Sequence, residues 1–146
     1  MADAWTIANA LRLAAGCARD ASILLDSHSR NAAYLGEQAL EQIIRAFATA
    51  EGLHIERHDA HQLDKTVRRF PDAHPEKVAI SKLVWLEAYA TTFRYTLPSG
   101  RIPKAPDDAK VAEAISGIEE LILRAARHFG VDLEKDSPAA RTAPMR

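Results

Sequence analysis

The sequence predicts an all-α protein, an antiparallel up-and-down bundle of four long helices and one short helix. Apolar residues recur at alternating steps of three and four along several long segments, which is the pattern of a helix with one buried face. No segment shows the sustained alternation of a half-buried strand. With 146 residues, the chain has the length of one domain with a single core.

The first two long helices are predicted from their apolar stripes. The first stripe begins at Ile7, and its helix runs to about Asp26. The second extends from Ala33 to Phe47, and Gly52 closes that helix because glycine readily takes the left-handed conformation that ends helices.

The middle of the chain is predicted to hold a short and a long helix. Asp59 caps the short helix, which Pro71 must end because proline lacks the backbone N–H that a helix requires. The fourth, long helix begins after Pro75 and carries its apolar stripe to Phe93.

The last long helix runs from Val111 to Phe129, with Gly130 just past its end. The remaining residues, 131–146, contain few apolar side chains, so they are predicted to be a flexible C-terminal tail. The predicted domain therefore covers residues 1–130.

Composition limits the function. The formal net charge is −1, so any attraction to nucleic acid or to an anionic membrane must be local. The single cysteine, Cys17, excludes an intramolecular disulfide framework and a cysteine-based zinc site. No apolar run is long enough to span a bilayer, and no basic stretch precedes the first apolar residues. We expect a soluble, unprocessed, cytoplasmic protein.

One segment differs from the rest, "FRYTLPSGRIPKAPDD" at residues 93–108. It places Arg94, beside Tyr95, together with Arg101 and Lys104 and with no acid between them, a pattern that suits phosphate. Alternatively, Arg94 only complements the negative end of the fourth helix, and the loop only links helices or contacts a second protomer.

A strip of polar side chains follows one face of the second helix. Tyr34, Glu37 and Glu41 are spaced by about one turn each, so their hydroxyl and carboxyl groups line up. Paired carboxylates bind Mg²⁺ or act as acid and base, but a solvated face has the same pattern. Both interpretations stay open.

Three histidines follow the second helix. His54, His58 and His61 are spaced at i, i+4 and i+7, which on one helix would gather three imidazoles for a metal. The end of one helix at Gly52 and the start of the next at Asp59 interrupt such a face. We therefore expect no metal, and a polar connection in which His58 or His61 bonds to a neighbouring helix.

The chain resembles the HEPN family (higher eukaryotes and prokaryotes nucleotide-binding). "AYLGEQALEQIIRAF" is similar to the second-helix signature of that family, with Tyr34, Glu37 and Glu41 in matching places. "GLHIERHDAHQL" resembles the family's glycine, His-Asp pair and leucine, which places His58 and Asp59 in the pair. "WLEAYATTFRYT" resembles the run that ends the next long helix.

The resemblance implies a HEPN-like bundle that binds a nucleotide or an RNA phosphate without a cofactor. It also implies a homodimer, and a partnership with a minimal nucleotidyltransferase in a toxin–antitoxin-type pair. Val78, Trp85 and Tyr89 form a second apolar stripe on the fourth helix, which either lies under the connecting loop or makes the dimer contact.

A ribonuclease is the alternative that the resemblance implies. HEPN ribonucleases carry an arginine and a histidine four to six residues apart, and "RRFPDAH" offers Arg68 or Arg69 with His74. Either His58 or His74 would act as general acid or base without a metal. Pro71 lies between the pair and prevents a common helical face. A third alternative is a purely structural, dimerising helical domain.

Overall fold

The computed structural model describes residues 1–146 and contains only helices and connections. The all-α prediction is confirmed. The α-helices are α1 (Ala2–Asp26), α2 (Asn31–Ala50), α3 (Leu63–Val67), α4 (Lys77–Ser81), α5 (Glu87–Ala90) and α6 (Asp108–Phe129). Short 3-10 turns occupy Arg57–Asp59, Val84–Leu86 and Thr92–Arg94.

Measured against the thickness of a lipid bilayer, none of these helices combines the length and the apolar character that a crossing requires.

The long helix α1 packs against both α2 and α6. It runs opposite to α6, because its N-terminal half meets the end of α6 and its C-terminal half meets the middle. The Arg12 guanidinium donates to the Asp132 carbonyl at 2.8 Å, and the Ser22 hydroxyl bonds to the Glu119 carboxylate at 3.3 Å. The short connection at residues 27–30 reverses the chain again between α1 and α2.

Helices α2 and α6 run in the same direction. Gly36, early in α2, lies within contact distance of the Ile118 side chain. Phe47, late in α2, has its ring centroid 6.3 Å from that of Phe129 at the end of α6. The core lies between these three helices, and small alanines on the buried face of α1 allow a close approach.

The prediction of a continuous fourth helix after Pro75 is wrong. The structure replaces it with α4, a 3-10 turn, α5 and another 3-10 turn, and Thr91 leaves helical geometry at φ −121° and ψ −92°. The expected inward residues Leu83, Leu86 and Ala90 are nevertheless buried. Successive short turns keep the same spacing of three and four, so periodicity alone does not distinguish them from one helix.

The second apolar stripe is divided as a result. Val78 is exposed, whereas the rings of Trp85 and Tyr89 pack edge to face at 5.7 Å and are half-buried. The Lys110 ammonium lies 4.1 Å from the centroid of the Trp85 ring. Two of the three stripe residues, Trp85 and Tyr89, are therefore partly covered by other parts of the same chain.

The C-terminal residues 131–146 pack against the bundle, which differs from the predicted flexible tail. Gly130, at φ +64°, turns the chain back, and the Arg141 guanidinium donates to carbonyls in the last turn of α6. Met145 is buried, and Arg146 pairs with Glu51 at 2.6 Å. Single apolar residues and arginines that satisfy helix-end carbonyls carry no periodicity, so the sequence pattern does not reveal such a segment.

Candidate functional site

Two polar sites lie where residues 51–107, the long connection, cover α2. The first is the arginine cavity, about 570 Å³ in volume, between the α1–α2 connection, the start of α2 and residues 89–106. The second is the Glu37 cluster, formed by Glu37, Glu41 and His61. The charged and aromatic residues that line the arginine cavity are Arg30, Tyr34, Tyr89, Phe93, Arg94 and Tyr95.

Three of the predicted ligand-binding residues, Tyr34, Arg94 and Tyr95, line the cavity, and Arg94 is the predicted cation among them. The 3-10 turn after α5 places its guanidinium 4.7 Å from the Tyr34 ring centroid and 6.0 Å from that of Tyr95. Both distances are in the range of cation–π contacts, which hold the planar group without using its N–H donors. Because the Arg94 side chain makes no hydrogen bond or ion pair, those donors remain available to a ligand.

Arg30 is the second cation of the cavity, and the sequence prediction missed it. Its guanidinium donates to the carbonyls of Pro103 at 2.9 Å and Phe93 at 3.2 Å, which fixes the loop against the start of α2. A cation directly before a helix opposes the positive end of the helix dipole. That unfavourable position was the signal in the sequence that Arg30 needs partners from elsewhere in the chain.

No carboxylate lines the arginine cavity, although the chain as a whole has 20 acidic and 19 basic side chains. Two guanidinium groups, aromatic rings and the neutral polar side chains of Asn31 and Thr96 surround the space. With no acid to compensate them, the arginines make the local potential positive. The cavity is therefore suited to an anion that also carries a flat apolar group.

Arg101 and Lys104 are exposed and do not line the cavity. Arg101 lies at the end of a turn closed by the Leu97 N–H, which donates to the Arg101 carbonyl at 2.8 Å, and Lys104 follows that turn. Their neighbours Ile102 and Pro103 do line the cavity, so both cations are close to its rim. Of the three predicted cations, the structure places only Arg94 inside.

The predicted polar strip of α2 is divided between the two sites. Tyr34 lies in the arginine cavity, while Glu37 and Glu41 lie beneath His61. The His61 Nδ1 is 2.6 Å from the Glu41 Oε2 and 3.9 Å from the Glu37 Oε1. The Gln38 amide donates to one oxygen of each carboxyl, at 2.8 Å to Glu37 and 2.9 Å to Glu41. A solvated face is excluded for Glu37, which is fully buried.

The buried carboxyl of Glu37 is shifted far from its ordinary acidity. Burial, followed by the hydrogen bond and charge of neighbouring Glu41, raises the pKa of Glu37 to about 10, and the Gln38 hydrogen bond partly offsets this. The Glu87 carboxylate adds a smaller effect in the same direction. Burial and the neighbouring Glu41 thus favour the neutral form of the Glu37 carboxyl.

His58 and Asp59 lie in the 3-10 turn before α3 and contact neither site. His58 is largely exposed, and its Nε2 is 3.6 Å from an Asp59 oxygen. Asp59 also accepts from the Lys65 ammonium at 3.0 Å. The two residues thus form a local pair with Lys65, and the connection histidine that reaches a neighbouring helix is His61.

Arg69 and His74 do not assemble into a pair. The Arg69 guanidinium donates to the His54 carbonyl at 2.8 Å. His74 is 3% exposed, with its ring centroid 5.0 Å from that of Phe47 and 5.2 Å from that of Phe70. Burial lowers the pKa of His74, which keeps the imidazole neutral and inside the core. This arrangement gives His74 no access to a substrate.

Compared with models of known protein families, with curated proteins and with solved structures, the chain shows no match in any of the three. The fold and the sites thus define the class of this protein by themselves. It is a helical protein with an electropositive, aromatic cavity at one end and, beside it, a carboxyl–imidazole cluster in which Glu37 is buried.

Proposed function

We propose that the protein binds a nucleotide, or a nucleotide unit of RNA, in the arginine cavity. One observation carries this proposal: two arginines and several aromatic rings line about 570 Å³ of space without a single carboxylate. Cavities of roughly 300–1,000 Å³ are typical of small-molecule sites. A nucleotide joins the two chemical features that the lining favours, an anionic phosphate and a flat ring.

Arg94 is the phosphate ligand in this proposal. Its guanidinium is held on the Tyr34 ring and keeps its N–H donors, which suit the bidentate geometry of a phosphate. Arg30 has two of its donors on carbonyls, so its main role is to hold the loop wall in place and add charge. The base then stacks on an exposed aromatic face such as Tyr95.

Arg101 and Lys104 contribute from the rim. Exposed cations near a site attract an anion over distance, and salt screens this attraction within about 10 Å at 0.1 M ionic strength. We expect them to steepen the salt dependence of binding without setting the geometry of the complex.

The resemblance to HEPN domains supports the same proposal, since its three motifs lie in order on α2, on the connection before α3 and on the residues through Arg94. A HEPN-like bundle, a homodimer and a partnership with a nucleotidyltransferase belong to this proposal. In such a bundle, the interrupted segment from α4 to the 3-10 turn Thr92–Arg94 would take the place of the third long helix.

The test is equilibrium binding of a fluorescent adenine nucleotide and of a short labelled oligoribonucleotide, both in EDTA. We expect saturable binding that weakens as salt increases, and a loss of about tenfold or more in Arg94→Ala, since a charged hydrogen bond contributes about 1.5–3 kcal/mol. Arg57→Ala removes another exposed arginine, in the turn Arg57–Asp59, which does not line the cavity, and is the matched control.

Two results would contradict the proposal. If the unmodified protein binds neither probe, the nucleotide proposal is wrong and the protein is a purely structural helical domain. Equal losses in Arg94→Ala and Arg57→Ala mean a general charge effect and no defined site. Cleavage of the oligoribonucleotide in EDTA, abolished by His58→Ala, would instead favour the metal-independent ribonuclease.

A further inference from the structure

The Glu37 cluster has a feature that the nucleotide proposal does not use. The Glu37 Oε1, one Glu41 oxygen and one His61 ring nitrogen all lie within 4.8 Å of one another. Two of these groups come from consecutive turns of α2, and the third comes from the connection that crosses the helix. The ligand set therefore joins residues that are distant in sequence on a rigid support.

One buried atom in the cluster lacks a partner. The Glu37 Oε1 is buried and accepts no hydrogen bond, while its other oxygen is bonded to Gln38. The Glu37 side chain has no exposed surface at all. An unpaired buried polar atom costs about 1–3 kcal/mol, so proteins seldom keep one without a use for it. This oxygen faces the imidazole of His61 at 3.9 Å.

We propose that Glu37, Glu41 and His61 bind a zinc ion. Two carboxylate oxygens and one imidazole nitrogen are a donor set that zinc accepts, at metal–ligand distances of about 2.0–2.2 Å. A cation at the centre of the cluster gives the Glu37 Oε1 its missing partner. It also replaces the contact between His61 and Glu41 with two coordinate bonds.

The choice of zinc follows from the donors and their number. Magnesium and calcium prefer an all-oxygen shell and more ligands than this cluster offers, whereas an imidazole suits zinc. His61 is exposed and Glu41 is half-buried, so the cluster opens to solvent on one side. A fourth position is then left for water, as in zinc sites with three protein ligands.

The surrounding residues support the ligands. The Gln38 amide bridges the two carboxyl groups through its hydrogen bonds, which orients them toward the same point. Outer contacts of this kind raise metal affinity because they reduce the freedom of the ligands. Glu87, whose carboxylate accepts from the Asp64 N–H, adds negative charge near the site.

The experiment is titration of the chelator-treated full-length protein with zinc chloride, without nucleotide, by calorimetry and by competition with a chromophoric chelator. We expect one ion per chain, and an affinity lower by at least about tenfold in His61→Ala, a loss that even outer-sphere changes produce. His58→Ala removes an exposed histidine three positions away and should bind as the unmodified protein does.

A second variant separates loss of binding from loss of folding. Glu37→Gln keeps the size and the neutral state of the buried side chain but is a much weaker zinc ligand. We expect it to fold, to lose the affinity, and to lose the rise in melting temperature that zinc gives the unmodified protein. Cobalt in place of zinc should give the visible absorption of a four-coordinate ion, absent in His61→Ala.

Three outcomes would overturn the proposal. These are an absence of saturable zinc binding, an equal loss in His58→Ala and His61→Ala, and magnesium competing as well as zinc does. Because the titration contains no nucleotide and the nucleotide experiment contains EDTA, failure of one proposal leaves the other intact.

Discussion

The three long helices and the long connection are built differently. Helices α1, α2 and α6 bury continuous apolar faces, and their backbone groups are satisfied within each helix. The connection, residues 51–107, consists of short helices and turns and repeatedly relies on side chains that bond to backbone, as Arg30 and Lys77 do. The first region provides a rigid support, and the second brings polar groups onto it.

The buried polar residues show what this difference means for function. Thr66, His74 and Glu76 belong to the connection, and Glu37 is on the part of α2 that the connection covers. A succession of short turns has many helix ends, and each end leaves backbone groups that need polar partners. Both proposed sites therefore lie at the contact between the two regions, where polar groups are already required.

The largest expected effect tests whether the long helices carry the stability. Phe47, on α2, is fully buried and contacts Phe129. Phe47→Ala should lower the free energy of unfolding by about 3–5 kcal/mol, because it removes apolar contacts and leaves a cavity. Chemical denaturation measures this. Ile23→Ala, at a position 58% exposed, is the control, and a loss of similar size there would contradict the assignment of the core.

A pair of glycines tests the packing of the C-terminal segment. Gly130 has φ +64°, and an added Cβ would lie 2.7 Å from that of Ala140. Gly52 has φ +71° with open space around it. Gly130→Ala should cost about 3 kcal/mol and Gly52→Ala about 1 kcal/mol, since both strain the backbone but only the first also displaces a neighbour. Equal losses in thermal melts would mean that residues 131–146 do not pack on α6.

The smallest effect is expected for His74, whose protonation changes the free energy of unfolding only in a limited pH range. Burial lowers the pKa of His74 below its ordinary value of 6.5; Arg146 and His128 act in the same direction, and Glu51 and Glu76 partly oppose it. Since the unfolded chain binds this proton more readily, the stability is complete above pH 6.5 and decreases as the pH falls below it.

His74→Gln cannot titrate and keeps an acceptor for the nearby Glu76 N–H, which the His74 Nδ1 now accepts at 3.2 Å. We expect its unfolding free energy to change less between pH 7 and pH 5 than that of the unmodified protein. Denaturation at a series of pH values measures the difference. Parallel curves would show that other groups cause the acid sensitivity.

The candidate sites were predictable only in part. Arg94, Tyr34 and the pair Glu37 and Glu41 stand out in the sequence because of their type and spacing. Nothing in that spacing shows that Arg94 lies on Tyr34, or that His61, and not His58, reaches the carboxyls. Contacts of this kind join residues across turns whose geometry depends on packing, which local pattern does not encode.

The sequence alone determined the all-α class, the three long helices and the residues of those helices that face the core, because each depends on a periodicity that is local to the chain. Only the tertiary structure decided that the fourth helix is interrupted and that residues 131–146 return to the bundle. The physical reason is the same throughout. Hydrophobic burial is nondirectional, so it selects which residues are inside, while hydrogen bonds between distant groups select how the backbone brings them there.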